Sequence, residues 1–470
     1  KGTHAKSVPL GGSRLATMLT SIARPLFSSA TRSGARQVAK PAQRNALRMR
    51  SNKQASSLTQ SRLFKPLSSI KFAAYTTMIE DNSKHVSALK DAIAQAGPVA
   101  IPTYRVTDVD GNWLNPAEDP KIPNETLLKV YQQMVQLNQM DEILYDIQRQ
   151  GRISFYMTCY GEEATLFGSA VPLEAEDVIY AQYREAGMLM WRGYTLDDFC
   201  NQCYSNHLDG GKGRQMPVHY GSIKANLQTI SSPLGTQIPQ ASGAAYALKM
   251  EGKKNVVVCY FGEGAASEGD FGAGINSAAT LDAPVIFFCR NNRYAISTPS
   301  HEQYRGDGIA ARGPAYGIYT IRVDGNDFFA VHNATKHARE YAIEHSKPVL
   351  IEAMTYRVSH HSTSDDSTRY RQGEEVKKWQ AVSGVPRFRK YLESRGLWNE
   401  DLEKETRTAA RKAVLTAIKK AEVEPRPPIA DLFNDVYDVD PAHIVEQREE
   451  LARHIAKYPG VYPTEKHSTL

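Results

Sequence analysis

Acidic residues are absent from the first 79 positions of this 470-residue chain, which hold fourteen Lys or Arg and no Asp or Glu before Glu80. That absence relocates the formal net charge of +6, because the remaining 43 basic residues face 51 acidic ones and leave the body at −8. A mildly acidic body offers no basic face to a polyanion, so no nucleic-acid partner is expected. The leader, with "SIARPLFSSATRSGARQVAK" in it, is Arg-rich, Ser-rich and acid-free, the composition that mitochondrial import reads as a transit peptide. Residues 1–79 are assigned to it, with the matrix as destination. Met18 opens a more typical leader, "MLTSIARPLFSSA", so residues 1–17 are given no functional weight.

Long apolar runs are also missing. None approaches the ~20 residues that a membrane-spanning helix requires, and no span is expected. With 41% hydrophobic content the chain can nevertheless bury one large or two moderate cores. Cysteine is scarce. Cys159, Cys200, Cys203, Cys259 and Cys289 are odd in number and form no disulfide framework, which suits free thiols in a reducing compartment. Cys200 and Cys203 make a lone CxxC flanked by Phe199 and Tyr204, which predicts two thiols on one face of a buried helix rather than a zinc site. Glycosylation-type triplets at Asn124 and Asn333 have no consequence in a mitochondrial protein.

Proline punctuates "GPVAIPTYRVTDVDGNWLNPAEDPKIPNE", and residues 80–125 read as an extended arm laid across a neighbouring surface rather than as a core element. A helix capped by Asn124 follows, with Leu127, Val130, Tyr131, Met134, Leu137, Leu144 and Ile147 at helical spacing through residue 150. Strands and helices then alternate over 126–372. "DVIYAQY" reads as a strand, "LDDFCNQCY" as helical, and Gly235 to Met250 as a helix whose Ala241, Gly243, Ala244 and Ala245 allow close packing. "NVVVCYF" and "APVIFFC" are buried strands joined by the turn "GEGAASEGD" and a helix over 271–281, which is a βαβ unit. "YTIRVDG", a helix from Phe328 to His345 and "PVLIEAMTYR" continue the series. The alternation predicts an α/β fold, a doubly wound parallel sheet flanked by helices, whose ligands bind at the carboxyl ends of the strands. Residues 373–424 read as charged helix, and "EPRPP" begins a more extended tail to residue 470.

The chemistry gathers at two strand ends. Gly262-Glu263-Gly264 follows the first buried strand and Arg290-Asn291-Asn292 ends the second, with 26 residues between Gly264 and Asn291, the length of one crossover. A carboxylate and an amide therefore face one crevice, beside a helix N-terminus that can receive phosphate. Oxygen ligands together with a diphosphate suit magnesium, which combines one or two protein ligands with phosphate and water.

This arrangement resembles the thiamine diphosphate signature, GDG followed by about 25 to 30 residues and NN. The resemblance implies magnesium ligation by Glu263, Asn292 and the carbonyl of Tyr294; Glu for Asp departs from the general signature and reaches one methylene further. "QYREAGMLMWRGY", "KGRQMPVHYG", "TISSPLGTQIPQASGAAYA", "FFCRNNRYAISTP", "EQYRGDGIAARGP" and "EAMTYRVSHHSTSDDS" extend the likeness to the α subunits of branched-chain 2-oxo acid dehydrogenases, over roughly residues 100 to 460. It implies that Gln182, Tyr183, Arg184, Ser232, Leu234, Gly264, Ala265, Arg290 and His361 line the cofactor or the substrate end. Arg184 and Arg290 suit a diphosphate because guanidinium pairs bidentately with phosphate, the alternative for each being a surface ion pair. "ISSPLGTQ" resembles the family's potassium site, with Ser231, Pro233, Thr236 and Gln237 as oxygen donors, and it can also cap a helix.

The stretch from Ser359 to Thr368 lacks an apolar anchor and is expected to be a mobile loop that orders on cofactor or partner binding. Within it His361 matches the family histidine that approaches the cofactor, and an imidazole with a pKa near 6.5 suits proton transfer. Ser362 aligns with the family's inhibitory phosphorylation site, which implies a regulatory kinase and phosphatase. Arg293 stands where glycine is expected in "NNGYAIST", and would be strained if that position needs φ > 0.

The family decarboxylates a 2-oxo acid and passes the acyl group to a lipoyl domain on an acyltransferase core, with the cofactor supplying the reactivity. Cofactor activation needs a carboxylate on the aminopyrimidine ring, and this chain has no second α/β domain to carry it. The resemblance therefore implies a β subunit, an α2β2 heterotetramer and a site at the α/β interface. Two alternatives remain: a pyruvate dehydrogenase-type α subunit, which "RQMPVHYG" and "HHSTSDD" resemble less, and a non-catalytic scaffold on the same fold.

Overall fold

A computed structural model describes residues 100–468, so the leader and most of the arm, 80–99, lie outside the described residues. Six parallel strands form one sheet in the order β1-β7-β8-β4-β3-β2. They are β1 (Thr103–Tyr104), β2 (Val178–Tyr180), β3 (Val257–Gly262), β4 (Val285–Asn291), β7 (Tyr319–Asp324) and β8 (Val349–Met354), while β5 (Tyr294–Ala295) and β6 (Thr298–Pro299) make a separate hairpin. The helices that cover the sheet are α1 (Asn124–Arg149), α2 (Glu163–Ala170), α3 (Ala186–Trp191), α4 (Leu196–Tyr204), α5 (Gln237–Met250), α6 (Gly269–Leu281) and α7 (Phe328–His345). Beyond them lie α8 (Gly373–Ala381), α9 (Gly384–Ser394), α10 (Glu400–Val423) and α11 (Ala442–Lys457).

The two-residue period of the central strands divides the core. Val257, Cys259 and Phe261 on β3, with Val285, Phe287 and Cys289 on β4, point to α5 and α6, where Ile238, Ala241, Ala245, Ile275 and Ala278 meet them. Val258, Tyr260, Ile286 and Phe288 point to the opposite layer, which includes α1, α2 and α7. Both faces are covered, which is why these strands read as continuous apolar runs rather than alternating ones. All seven apolar positions predicted for α1 are buried. Cys200 and Cys203 are buried on α4, and all five cysteines are free thiols.

Four expectations change. Asn124 is the first residue of α1, and Pro123 takes the cap position, where its side chain has no oxygen to accept a helix amide. The described part of the arm does join the core: β1 pairs in parallel with β7 as an edge strand, and Val106 beyond it is fully buried. The tail contains the 16-residue helix α11. The stretch from Ser359 to Thr368 is anchored by polar groups instead of apolar ones: Arg371 donates to the carbonyls of Arg357, Val358 and Ser359, and the Thr363 amide donates to the Tyr156 carbonyl at 3.1 Å. A guanidinium that binds three carbonyls fixes a loop without any hydrophobic side chain, and composition gives no warning of it.

Candidate active site

Gly262 on β3 pairs with Arg290 on β4, so Glu263 and Asn292 leave adjacent strands at nearly the same level. Glu263 is buried; its Oε2 accepts the Asn292 amide at 3.2 Å, and its Oε1 has no partner. Burial pushes the carboxyl up to about 7. Asn292 donates through Nδ2 to Glu162 Oε1 at 2.8 Å and turns Oδ1 to the Tyr294 amide at 3.3 Å. An unpartnered carboxylate oxygen in a buried site is costly until a proton or a cation takes it.

Among the described residues no cluster of three or more His, Cys, Asp or Glu could hold a metal ion. A divalent ion at this turn would therefore draw on one carboxylate, the Asn292 amide oxygen, the Tyr294 carbonyl and phosphate oxygens. That hard-oxygen set suits magnesium and would satisfy Glu263 Oε1. Arg293, between the ligand positions, adopts φ +72°. Asn291 Oδ1 accepts its amide at 3.2 Å and its guanidinium lies 4.4 Å from the centre of the Trp379 ring, contacts that offset the strain of a left-handed non-glycine residue.

Arg184 and Arg290 form neither a free phosphate fork nor a surface ion pair, since both side chains are 1% exposed. Arg290 pairs with Glu162 and, at 2.7 Å, with Glu185 Oε1. Arg184 donates to the carbonyls of Thr158 and His361. Gln182 Oε1 accepts the Gly262 amide at 2.8 Å, and Glu185 Oε2 accepts the Gln182 amide at 3.1 Å, which ties the segment after β2 to the end of β3. Ala265 is buried in the turn after Gly264, and a Cβ on Gly264 would come within 2.6 Å of Ala295 Cβ, so only glycine lets that turn lie against the β5 hairpin. α6 begins just beyond, and its N-cap residue Glu268 makes no side-chain capping bond, which leaves amides for an anion.

His361 is part of this group. Its Nδ1 lies 3.3 Å from Arg184 Nη2 and 3.4 Å from Arg357 Nη1, and its ring meets Tyr183 edge-on at 6.0 Å. Burial, with Arg184 and Arg357 close by, pushes its pKa down to about 3 rather than leaving it near 6.5. The imidazole is neutral at working pH, and because Nδ1 faces guanidinium donors its proton belongs on Nε2. Ser362 is buried, with Oγ accepting the Ser364 amide at 3.2 Å.

The other proposed residues lie on the turn into α5, which runs against the start of α6: a Cβ on Gly235 would come within 3.1 Å of Glu268 Cβ. Ser231, Ser232, Pro233 and Leu234 form an exposed turn before α5. Thr236 Oγ1 donates to the Pro233 carbonyl at 3.0 Å, and Gln237 Nε2 donates to the Tyr260 carbonyl at 3.1 Å. Thr236 is the N-cap of α5 but makes no side-chain capping bond, so the capping role expected for this turn is not observed.

Sequence reading missed Glu162, Glu185 and Arg357. A signal existed for the first: Glu162 and Glu163 open an otherwise apolar segment, "EEATLFGSA", and carboxylates entering a core need partners. Glu163 finds Asn138 Nδ2 at 2.7 Å and the Gly161 amide at 2.9 Å, and burial still raises it to about 7.

The parallel α/β sheet presents one carboxylate and one amide at the carboxyl ends of adjacent strands, and residues 131–430 match the family model described as Dehydrogenase E1 component. The chain belongs to that family of thiamine diphosphate-dependent 2-oxo acid dehydrogenases. It is 60% identical over 366 residues to "2-oxoisovalerate dehydrogenase subunit alpha, mitochondrial" of Macaca fascicularis, which covers 78% of this chain and 82% of that one. The Dictyostelium discoideum protein of the same description is 57% identical over 365 residues, 77% of this chain and 83% of its own. The "2-oxoisovalerate dehydrogenase subunit alpha 1, mitochondrial" of Arabidopsis thaliana is 51% identical over 372 residues, 79% of each chain.

Proposed function

We propose that this chain is the α subunit of the decarboxylating component of a mitochondrial branched-chain 2-oxo acid dehydrogenase, active with a β subunit in an α2β2 heterotetramer in the matrix. The observation that carries the reading is Glu263 Oε1, a buried carboxylate oxygen without a partner beside Asn292 at the carboxyl ends of β3 and β4. Glu263, Asn292 and the Tyr294 carbonyl would hold magnesium on the diphosphate. Ser231, Pro233, Thr236 and Gln237 would supply oxygens to potassium, a role supported by the 3.0 Å approach of Thr236 Oγ1 to the Pro233 carbonyl. The sheet region, 126–372, carries this half of the site, and the helical region from 373 supports it.

Thiamine diphosphate, when bound, supplies the electron sink for loss of CO₂. The chain's own residues orient and exclude water. Arg290, its orientation set by Glu162 and Glu185, would offer a fixed guanidinium near the diphosphate end. His361, neutral with its proton on Nε2, can donate from that atom as the acyl group passes to a lipoyl group of the acyltransferase core. A kinase acting on Ser362 would have to draw a buried hydroxyl outward, and a phosphate there, at −1.5 to −2 charge, would repel the diphosphate; a phosphatase would restore the segment.

The test is decarboxylation of 2-oxoisovalerate and of pyruvate by the co-expressed α and β chains, in wild type and Glu263→Ala. Turnover that favours 2-oxoisovalerate and disappears in the variant supports the reading. Preference for pyruvate would point to the other family branch, and a complex that binds no cofactor would point to a scaffold.

A further inference from the structure

Outside the charge network, one buried histidine has two well-made hydrogen bonds that the proposed chemistry does not use. His219 is 5% exposed. Its Nδ1 lies 3.1 Å from the Pro217 carbonyl and its Nε2 lies 2.8 Å from Ser232 Oγ. A carbonyl can only accept, so the neutral ring carries its proton on Nδ1 and Nε2 accepts from the Ser232 hydroxyl. The two bonds together fix the tautomer, the ring plane and the direction of that hydroxyl.

The backbone that presents this ring is held under strain. Val218, immediately before it, has φ +65°, a conformation that β-branched residues avoid. A buried amide side chain enforces it: Gln202 on α4 accepts the Val218 amide at 3.1 Å and donates to the Met216 carbonyl at 2.8 Å. The far side is clamped as well, since the Ile230 amide donates to the Tyr220 carbonyl at 3.0 Å. Strain of this kind persists only where surrounding contacts over-determine it. Here its result is to reach from a buried loop to one hydroxyl on the exposed turn Ser231–Leu234.

We infer that His219 is a positioning residue for the cofactor side of the site, holding Ser232, and through it the turn that carries the proposed potassium donors, in the conformation thiamine diphosphate meets. The inference rests on the reading of Ser232 as a cofactor-lining residue. His219 does not itself touch the cofactor; it acts through one hydrogen bond, so its removal weakens binding by the worth of that bond and leaves the buried metal turn intact.

The experiment is calorimetric titration of thiamine diphosphate, with Mg²⁺ and K⁺ present, into the α/β complex in wild type, Ser232→Ala, His219→Ala, His219→Gln, His219→Asn and the His219→Ala, Ser232→Ala double variant. His219→Ala is expected to raise Kd about five- to tenfold, the worth of one hydrogen bond. His219→Gln, whose amide oxygen reaches the Nε2 position, should restore most of that affinity, and His219→Asn, one bond shorter, should not. The double variant should bind like Ser232→Ala alone. A merely structural role for the ring would weaken every His219 variant alike and add to Ser232→Ala. Additive losses, or affinity within twofold of wild type for both single Ala variants, would overturn the inference. Wild-type complex that fails to bind thiamine diphosphate at all would instead overturn the functional reading beneath it. Should His219→Ala fail to assemble, Ser232→Ala and the Gln and Asn pair still decide, because Ser232 is exposed and both amides are polar replacements of similar size.

Discussion

The two halves of the proposed site are built in opposite ways. At the ends of β3 and β4, Arg290, Glu162, Glu185, Asn292 and Glu263 are all buried and bind one another. At Ser231–Leu234 the residues are exposed and one hydrogen bond from Ser232 to His219 ties the turn to the interior. The first half is held by charge pairing within the chain, and Glu263 Oε1 in it has no hydrogen-bond partner until a proton or a cation takes it. The second is an edge that needs another surface to enclose it. A diphosphate needs fixed charges around it; the reacting end of the proposed site needs a wall, the part proposed for a β subunit.

The sharpest way to break that contrast is to remove the charge compensation. Arg290→Met leaves Glu162 and Glu185 buried without their cation, and should cost about 3–5 kcal/mol of stability together with turnover; chemical unfolding of the assembled complex measures it, and a loss below ~1 kcal/mol would mean the network is not a unit. Glu263→Gln should separate function from stability. Turnover of 2-oxoisovalerate is expected to fall about 100-fold because a neutral amide ligates the ion weakly, whereas the cofactor-free complex should melt no lower than wild type, since a buried carboxylate has been removed. Steady-state kinetics and differential scanning calorimetry on the same preparations check both halves of that statement.

The exposed turn should respond in the reverse sense. Thr236→Ala is expected to change stability by no more than about 0.5 kcal/mol while making thiamine diphosphate binding require more K⁺, read from cofactor titrations across a KCl series. A further effect is expected on pH. Asp141, Glu163 and Glu263 are all raised to about 7 by burial. Their protonated forms favour the folded state, so that contribution is complete below the ordinary carboxyl range near pH 4 and is lost as pH rises through 7. The melting temperature of the cofactor-free complex should therefore decline between about pH 5 and pH 8, and Asp141→Asn should flatten the decline.

Much of this was legible from the residues alone, for identifiable reasons. Strand ends could be placed because apolar runs stop at Gly262 and Asn291, and a single crossover connects them. The left-handed turn at Arg293 was legible as a residue standing where glycine was expected, and φ +72° bears it out. What stayed hidden was partnership at a distance. Glu162 is 128 residues from Arg290, and no periodicity links them. The fall in the His361 pKa comes from burial and from Arg184, 177 residues away, and Arg357, which lies within "EAMTYRVSHHSTSDDS" but which nothing in that stretch marks as facing the ring. The anchoring of the Ser359–Thr368 stretch was hidden for the same reason: its fastening is a single arginine reading backbone carbonyls, a contact that hydrophobic patterning cannot register.

The central proposal is that the site on this chain is incomplete without a β subunit, and calorimetric binding of thiamine diphosphate with Mg²⁺ to the purified α chain, alone and then with an equimolar β subunit, tests it most directly. Weak binding to the α chain alone that tightens at least about tenfold with the β subunit, and is lost again in Glu263→Ala, is the expected result; equally tight binding without the β subunit would contradict it.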